Sequence, residues 1–199
     1  HPVVRITRDR SGRLTAVGEG GIESMMHLEI DRQSAADAAA IETAIRTVLA
    51  DVRGIVEDWP TMRQKMLDIT EDFGKRPMPI SDAARNEAQE FLRWAADDHF
   101  TFLGYREYRV RKQGKDDVLA ASAGTGLGLL RASESSQPRK LTTLAAHTMP
   151  QSTAADALIL TKTNARATVH RPGYMDYIGV LSFDAEGRAI AEQRFIGLY

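Results

Sequence analysis

The first thirty residues alternate between short apolar runs and turn-forming residues. Val3–Thr7 and Arg13–Val17 flank the connector Arg8–Gly12, a pattern that is typical of an antiparallel hairpin. Two glycines at positions 20 and 21 interrupt the chain again before the apolar run Met25–Ile30. The sequence therefore predicts three strands at the start of the chain, of which the third covers Met25–Ile30.

A helical periodicity follows these strands. Ser34 is a typical N-cap, with Asp37 three residues later, and the apolar positions after it recur at spacings of three and four. Pro60 lacks an N–H and restricts Trp59, so the pattern predicts that the first helix ends there and that a second begins at Thr61. We expect the apolar stripe to pack on the amino-terminal sheet; it consists of Ala38, Ile41, Ile45, Val48, Val52 and Ile55.

A break in the helical pattern divides the chain into two predicted modules. Gly74 favours the end of a helix, and the prolines at 77 and 79 prevent its continuation. We therefore predict a first module at residues 1–75, a linker at 76–80 and a second module at 81–199. Ser81 is the predicted N-cap of a helix that opens the second module.

The second module continues mainly as strands. Alternation of apolar and polar residues predicts them at Phe100–Arg111, Val118–Ser122, Leu158–Thr163, Ala167–His170, Tyr177–Phe183 and Ala189–Leu198. The polar run Ser133–Pro138 is a predicted loop. A helix packed on a largely antiparallel sheet makes the expected fold class α+β.

Composition limits the classes of partner. The 26 basic and 27 acidic residues give a net charge of −1, which provides no overall field for nucleic acid or an anionic membrane. The absence of cysteine excludes disulfides and thiolate chemistry and fits a reducing cytoplasm. No apolar run approaches the roughly 18 residues that span a bilayer. We expect a cytoplasmic location and no binding of nucleic acid or membrane.

The sequence contains no recognisable catalytic pattern. The run Gly124–Gly128 lacks both the G-x-G-x-x-G spacing and the Lys-Ser/Thr of a P-loop, so it predicts a close backbone approach instead of a nucleotide site. The five histidines lack metal-ligand spacing, and His99 is expected to contact a backbone carbonyl at a helix end. We predict no catalytic, cofactor-binding or metal site in this chain.

The segment 161–171 carries three fixed positive charges and no acidic residue. Side chains alternate along a regular strand, so every second one shares a face. Lys162 and Arg166 would then lie about 13 Å apart, which suits a dicarboxylate. The alternative is a solvated face whose cations pair with Asp176 or Glu192. The candidate effector-binding residues on this face are Lys162, Asn164, Arg166 and His170.

Three longer stretches carry a family resemblance. They are Glu23–Arg32 (ESMMHLEIDR), Phe91–Val110 (FLRWAADDHFTFLGYREYRV) and Thr161–Tyr199, which includes RPGYMDYIGV. Together they resemble the amino-terminal regulatory half of the large bacterial NAD-specific glutamate dehydrogenases. In that family the catalytic unit lies far downstream, and the amino-terminal part contains ACT-like and PAS-like modules. Strand-like sequence at both ends of the chain also favours a piece of a longer protein.

The resemblance assigns folds to the two predicted modules. Three strands and a helix at 1–75 resemble an incomplete ACT-like module without its first strand and helix. The helix and largely antiparallel sheet at 81–199 resemble a PAS-like module. ACT-like sheets generally bind amino-acid effectors at edges that subunits share, so the resemblance implies a homo-oligomer with an amino-acid or dicarboxylate effector.

The implied function is regulatory and non-catalytic. The resemblance implies that the chain belongs to an enzyme that converts L-glutamate and NAD to 2-oxoglutarate, ammonia and NADH, with NAD bound elsewhere in the parent chain. One alternative is a structural scaffold without a small ligand, and another is a stand-alone sensor module. A concave pocket with convergent polar groups would favour the hypothesis that the chain binds an effector. Large exposed apolar faces would favour the scaffold.

Overall fold

The computed structural model describes residues 2–76, 78–113, 116–131, 139–140 and 157–199. The chain divides into two compact units, His1–Glu42 and Thr43–Tyr199. It is α+β, as predicted, and these described residues form two antiparallel sheets and two α-helices. The predicted loop at Ser133–Pro138 lies outside the described residues. Within the described part, no helix is long and apolar enough to cross a membrane.

The first unit is a three-stranded antiparallel sheet. Its strands are β1 (Val3–Arg8), β2 (Leu14–Val17) and β3 (Gly21–Ser24), with β1 in the centre. The predicted hairpin is confirmed: β1 pairs with β2, and the Asp9 carboxylate accepts hydrogen bonds from the backbone N–H groups of Ser11 and Arg13. These bonds satisfy the turn locally, which fixes its register.

The predicted third strand at Met25–Ile30 is wrong. The strand lies earlier, at Gly21–Ser24, because Gly20 turns the chain with a φ of 89° and pairing with β1 starts at the next residue. A side chain at Gly20 would place its Cβ 2.4 Å from the carbonyl oxygen of Ile6. Since β2 and β3 occupy both edges of β1, the run that follows lies outside helix and strand, with its large apolar residues exposed.

Helix α1 (Ala35–Phe73) is one continuous helix of 39 residues with Pro60 inside it. Its predicted start is confirmed, since the Ser34 hydroxyl accepts from the Asp37 N–H at 3.2 Å. The predicted end at Pro60 and second start at Thr61 are wrong. An interior proline costs about 3 kcal/mol, but the following turns bury four large apolar residues, each worth about 1.5–3 kcal/mol. They are Met62, Met66, Ile69 and Phe73.

The residues of the predicted apolar stripe differ in their exposure along α1. Ile55 is buried, whereas Ile45 is 43% exposed and Val52 is 38% exposed. Packing of the stripe on the amino-terminal sheet stays a prediction. The compact units divide within α1, between Glu42 and Thr43. The predicted modules at 1–75 and 81–199 and the linker at 76–80 also stay predictions.

Helix α2 (Asp82–Trp94) begins as predicted, with the Ser81 hydroxyl accepting from the Ala84 N–H at 3.2 Å. It continues into a π-helical turn at Ala95–His99, where Asp98 has a φ of 58°. The His99 Nδ1 lies 3.0 Å from the Trp94 carbonyl oxygen, which confirms the expected contact at a helix end.

The second sheet is antiparallel throughout, with the strand order β7-β5-β4-β10-β9-β8 and β6 beside β4. The predicted strand at Ala167–His170 is wrong, because residues 167–173 form a turn. The other predicted strands are confirmed: Ala189–Leu198 has the predicted bounds, and each of the others differs from its prediction at one or both ends. The bounds are β4 (Thr101–Gln113), β5 (Asp116–Ala121), β6 (Leu127–Gly128), β7 (Arg139–Lys140), β8 (Leu158–Arg166), β9 (Tyr174–Phe183) and β10 (Ala189–Leu198).

The glycine-rich run lies against β4. A Cβ at Gly128 would come within 2.3 Å of the Leu103 carbonyl oxygen, so the predicted close backbone approach is confirmed. The core of this unit joins α1 and α2 to the centre of the sheet, at Tyr105 of β4 and Phe195 of β10, whose ring centroids are 4.8 Å apart. Core packing thus holds β4, β9 and β10 in place, and the polar sites described next lie around these strands.

Candidate functional site

Strand β8, which carries most of the predicted site, is irregular. Lys162 pairs with Asp176 and Arg166 pairs with Tyr174, so four steps along β8 match two steps along β9. Within this bulge the Thr163 hydroxyl accepts from the Ala165 N–H at 3.2 Å and donates to its carbonyl at 2.9 Å. Two strand residues span about 7 Å. Lys162 and Arg166 therefore lie closer together than the predicted 13 Å.

Lys162 pairs with a buried carboxylate. Its Nζ contacts Oδ1 of Asp176, a fully buried residue, and lies 5.5 Å from the centroid of the Tyr199 ring. The second carboxylate oxygen of Asp176 accepts from the Tyr199 N–H at 3.3 Å. Burial, and then the Asp176 charge, raise the pKa of the Tyr199 phenol, while Lys162 opposes the shift. The predicted alternative, a cation paired with Asp176, therefore holds at Lys162.

An open groove of about 550 Å³ lies beside this pair, lined by Lys162, Thr163, Asn164 and Tyr174. Arg166 joins the same neighbourhood because its guanidinium stacks 5.2 Å from the centroid of the Tyr174 ring. Three of the four predicted effector residues therefore lie together. The groove offers a cation, a side-chain amide and an aromatic face, which together suit an anionic ligand.

His170 lies apart from the other three. It sits in the turn at 167–173 with a φ of 67°, a conformation that only Asp98 shares among the described residues other than glycine. The Arg171 N–H donates to the Val169 carbonyl at 3.0 Å, and the Thr168 hydroxyl donates to Asp51 of α1 at 3.4 Å. His170 lines a second cavity, which is mainly apolar. The predicted four-residue face therefore divides at the end of β8.

A buried polar network lies on β9 and β10. Arg194 donates to the fully buried Glu192 through Nε at 3.0 Å and through Nη2 at 3.2 Å. The Tyr177 hydroxyl donates to the same carboxylate, and the Arg194 guanidinium lies 3.8 Å from the centroid of the Tyr108 ring. Glu192 thus pairs within its own strand, and the predicted alternative of pairing it with the cations of segment 161–171 is wrong.

The network shifts two pKa values. Burial is the largest single influence on the pKa of Arg194 and lowers it, but the Glu192 charge and hydrogen bond and the Tyr177 and Tyr108 phenols together raise it by more, so the net shift is upward. Burial also raises the pKa of the Tyr177 phenol, and the Glu192 charge adds to that shift. Both groups are therefore held in their protonated forms. The sequence signal for this network was a Glu-x-Arg pair in an otherwise apolar strand.

No metal cluster is present in the described part of the chain: no three His, Asp or Glu side chains there converge as metal ligands. The prediction that this chain binds no cofactor stays a prediction. The polar groups that do converge are the Lys162–Asp176 pair with its groove and the Glu192–Arg194 network. The first is accessible to a ligand, whereas the carboxylate of the second is enclosed.

Comparison with known proteins shows what this chain is similar to. Residues 1–45 match the family description "Glutamate dehydrogenase, ACT1 domain". An NAD-specific glutamate dehydrogenase of Halomonas elongata is 35% identical over 183 residues, which are 89% of this chain and 11% of that protein. The protein of the same name in Pseudomonas aeruginosa is 33% identical over 178 residues, again 89% and 11%. The predicted resemblance to NAD-specific glutamate dehydrogenases is confirmed.

The similarity to these dehydrogenases extends along the chain but covers a small part of the relatives. The Mycobacterium tuberculosis protein of the same name is 25% identical over 201 residues, 99% of this chain and 11% of that protein. The matched part lies in the amino-terminal region of the much longer relatives. The ACT1 match stops at residue 45, so the PAS-like assignment of 81–199 stays a prediction.

Proposed function

We propose that this chain is a non-catalytic regulatory segment of an NAD-specific glutamate dehydrogenase. The parent reaction is the conversion of L-glutamate, NAD and water to 2-oxoglutarate, ammonia, NADH and a proton. The ACT1 match at residues 1–45 carries the proposal, and 35% identity over 89% of the chain supports it. A cytoplasmic location and assembly into a homo-oligomer are part of the proposal.

The effector site of this proposal is the groove beside β8. Lys162 and Asn164 line it, and Arg166 lies against Tyr174 at its edge. The bulge sets the backbone positions of Lys162 and Arg166 about 7 Å apart along the strand, so both side chains can reach a short dicarboxylate or an acidic amino acid. Since Lys162 is paired with Asp176, a bound carboxylate would share Lys162 and take its second charge contact from Arg166.

Ligand-dependent stabilisation tests this site. L-Glutamate, L-aspartate and 2-oxoglutarate are titrated separately while the melting temperature of the chain is measured, because a ligand that binds the native state raises it by mass action. We expect Lys162→Ala/Arg166→Ala to abolish the rise. Arg93→Ala on α2 is the matched control, since it also removes an exposed cation. An undiminished rise in the double variant would exclude this groove as the effector site.

Regulation of the parent enzyme is the second readout. We expect the same double variant in the full-length dehydrogenase to keep its NADH production without effector and to lose the response to whichever of the three ligands stabilises the chain. The isolated chain should produce no NADH from glutamate and NAD. NADH production by the isolated chain above a buffer blank would contradict the non-catalytic assignment.

A structural scaffold is the second candidate function, and one observation favours it. The amino-terminal sheet leaves large apolar side chains exposed on its strands, including Val3, Val17 and Ile22. Such faces mark sites that another surface covers. Sedimentation velocity over a hundredfold range of protein concentration tests this function. Concentration-dependent assembly without any ligand-induced stabilisation would favour the scaffold over the effector site.

A further inference from the structure

A second cavity, of about 430 Å³, lies between α1, β4 and the 167–173 turn. Its floor is formed by buried residues, and Val52, Val56 and Trp59 of α1 form a more exposed rim. The volume falls within the range of about 300–1,000 Å³ that small-molecule sites occupy. The full lining is Val52, Ile55, Val56, Trp59, Thr101, Phe102, Leu103, Val169 and His170.

Few polar groups line this cavity, and each of them can donate a hydrogen bond. Thr101 and His170 line it with a hydroxyl and an imidazole, and Trp59 adds an indole N–H. The Thr101 hydroxyl and, in either tautomer, the His170 imidazole can donate a hydrogen bond. Within the described residues neither side chain has a hydrogen-bond partner. A ligand with a hydrogen-bond acceptor would satisfy these donors, and apolar surface on the rest of the ligand would match the rest of the lining.

His170 has an unusual backbone conformation that neighbouring contacts hold in place. A φ of 67° at a residue other than glycine is strained, and such strain persists only where neighbouring contacts hold it. Three hydrogen bonds hold the turn here: Ala167 N–H to Gly173 O at 2.8 Å, Arg171 N–H to Val169 O at 3.0 Å, and the Thr168 hydroxyl to Asp51 at 3.4 Å. Together they fix His170 at the cavity wall.

We propose that this cavity binds a small apolar monocarboxylate, with the hydrocarbon body against α1 and β4 and the carboxylate at Thr101 and His170. The site is separate from the groove at β8, which offers two cations and little apolar depth. The two cavities therefore take different ligand classes. A concave floor of buried residues favours a small molecule over a flat protein surface.

Trp59 supplies a direct readout, because it lines the cavity and the chain has one other tryptophan, Trp94. A Trp94→Phe background leaves Trp59 as the sole indole. The probe is 3-phenylpropionate. Its analogue 3-phenylpropanol keeps the phenyl group but is neutral, and propionate keeps the carboxylate but lacks the phenyl group. We expect 3-phenylpropionate to shift the Trp59 emission saturably to shorter wavelength as ligand replaces water, and propionate to leave it unchanged.

Two substitutions on α1 form a matched pair. Val52 lines the cavity and is 38% exposed, whereas Leu49 is 36% exposed and does not line it. Val52→Glu replaces an apolar side chain of the rim with a charged one that the hydrocarbon body of the probe would have to desolvate, so it should weaken probe binding about tenfold. Leu49→Glu should leave it unchanged. Equal weakening by both substitutions would overturn the assignment of the site.

His170→Ala tests the carboxylate end. Hydrogen bonds to a charged group are the stronger ones, so the variant should bind 3-phenylpropionate about tenfold more weakly and lose the preference over 3-phenylpropanol. A preserved preference would overturn the role of His170. Absence of a saturable shift up to about 10 mM probe would overturn the site itself. So would an emission shift that depends on protein concentration alone, since another copy of the chain would then occupy the cavity.

Discussion

The carboxylate of Asp58 and the guanidinium of Arg131 form paired hydrogen bonds of 2.7 and 3.0 Å, although 73 residues separate them in the sequence. The same carboxylate accepts the Gly128 N–H at 2.7 Å. Asp58 thereby connects α1 to the glycine-rich run that lies on β4. Charge-assisted bonds in this paired geometry are stronger than ordinary ones, so this contact holds the turn that follows β6 against the helix.

Removal of the Asp58 carboxylate should therefore destabilise the chain. Asp58→Ala leaves the Gly128 N–H without its acceptor, a loss of about 1–3 kcal/mol in the free energy of unfolding. Glu57→Ala is the control, because Glu57 is exposed and its contacts to Arg131 are 3.4 Å long. Urea denaturation of both variants measures the difference. Equal midpoints would mean that this contact adds nothing to stability.

The Asp58 contact should also make stability depend on pH. The hydrogen bonds from Arg131 hold the pKa of Asp58 below its usual range, against the opposing effect of burial. A folded-state pKa below the unfolded value gives stabilisation that is present above the unfolded pKa, about 4, and is lost as pH falls through the folded pKa. The melting temperatures of wild type and Asp58→Asn should differ by a constant amount from pH 7 down to about pH 4. The difference should become smaller between that pH and pH 3. A gap that widens below pH 4 would contradict the sign.

Local signals placed the starts of α1 and α2 but not the end of α1. The caps at Ser34 and Ser81 need only hydroxyls and nearby N–H groups, so the sequence was sufficient to place them. Continuation of α1 through Pro60 depends on the burial of Met62 and Met66, which arises from distant strands. No window of sequence around a proline contains that information.

The site was predictable in its residue types but not in its geometry. A regular strand placed His170 on one face with Lys162, but the β8 bulge and the turn that follows separate them. Bulges depend on pairing with a neighbour, and a single strand's alternation does not encode them. The Glu192–Arg194 pair was not predicted, because charge alone does not distinguish the cations of segment 161–171 from the arginine two positions away on the same strand.

Replacing Pro60 by alanine should stabilise the chain. Alanine restores an N–H to the helix interior, although it also loosens the unfolded state. We expect the free energy of unfolding to rise by about 1–2 kcal/mol, which corresponds to a rise in melting temperature of about 2–8 °C. Glu71→Ala, an exposed change on the same helix, should stay within about 0.5 kcal/mol. A lower melting temperature for Pro60→Ala would show that the packing around α1 requires the proline.

Gly179 and Gly54 should respond in opposite directions to the same substitution. A Cβ at Gly179 would lie 2.9 Å from the Tyr177 ring and 3.1 Å from Glu192 Oε1, whereas one at Gly54 meets nothing within 4 Å. Gly179→Ala should therefore cost about 1–3 kcal/mol by overpacking. Gly54→Ala, inside α1, should gain about 0.5–1 kcal/mol. Thermal unfolding of the two variants checks both signs, and stabilisation by Gly179→Ala would mean that the network tolerates displacement.

The buried pair Glu192–Arg194 should show strong energetic coupling. Glu192→Leu alone leaves the Arg194 charge in the interior without its partner, which costs about 3–5 kcal/mol. Glu192→Leu/Arg194→Met removes both charges, so the double variant should lose less than the sum of the single variants, with a coupling of about 1–3 kcal/mol. The control cycle uses Asp184 and Arg188, whose ion pair of 2.9 Å leaves the arginine exposed and should couple by less than about 1 kcal/mol. Denaturant unfolding of the wild type and the six variants gives both values. If the losses in the free energy of unfolding at Glu192 and Arg194 are additive, water reaches the pair and screens its charges. The stability of the network would then not depend on the two charges neutralising each other.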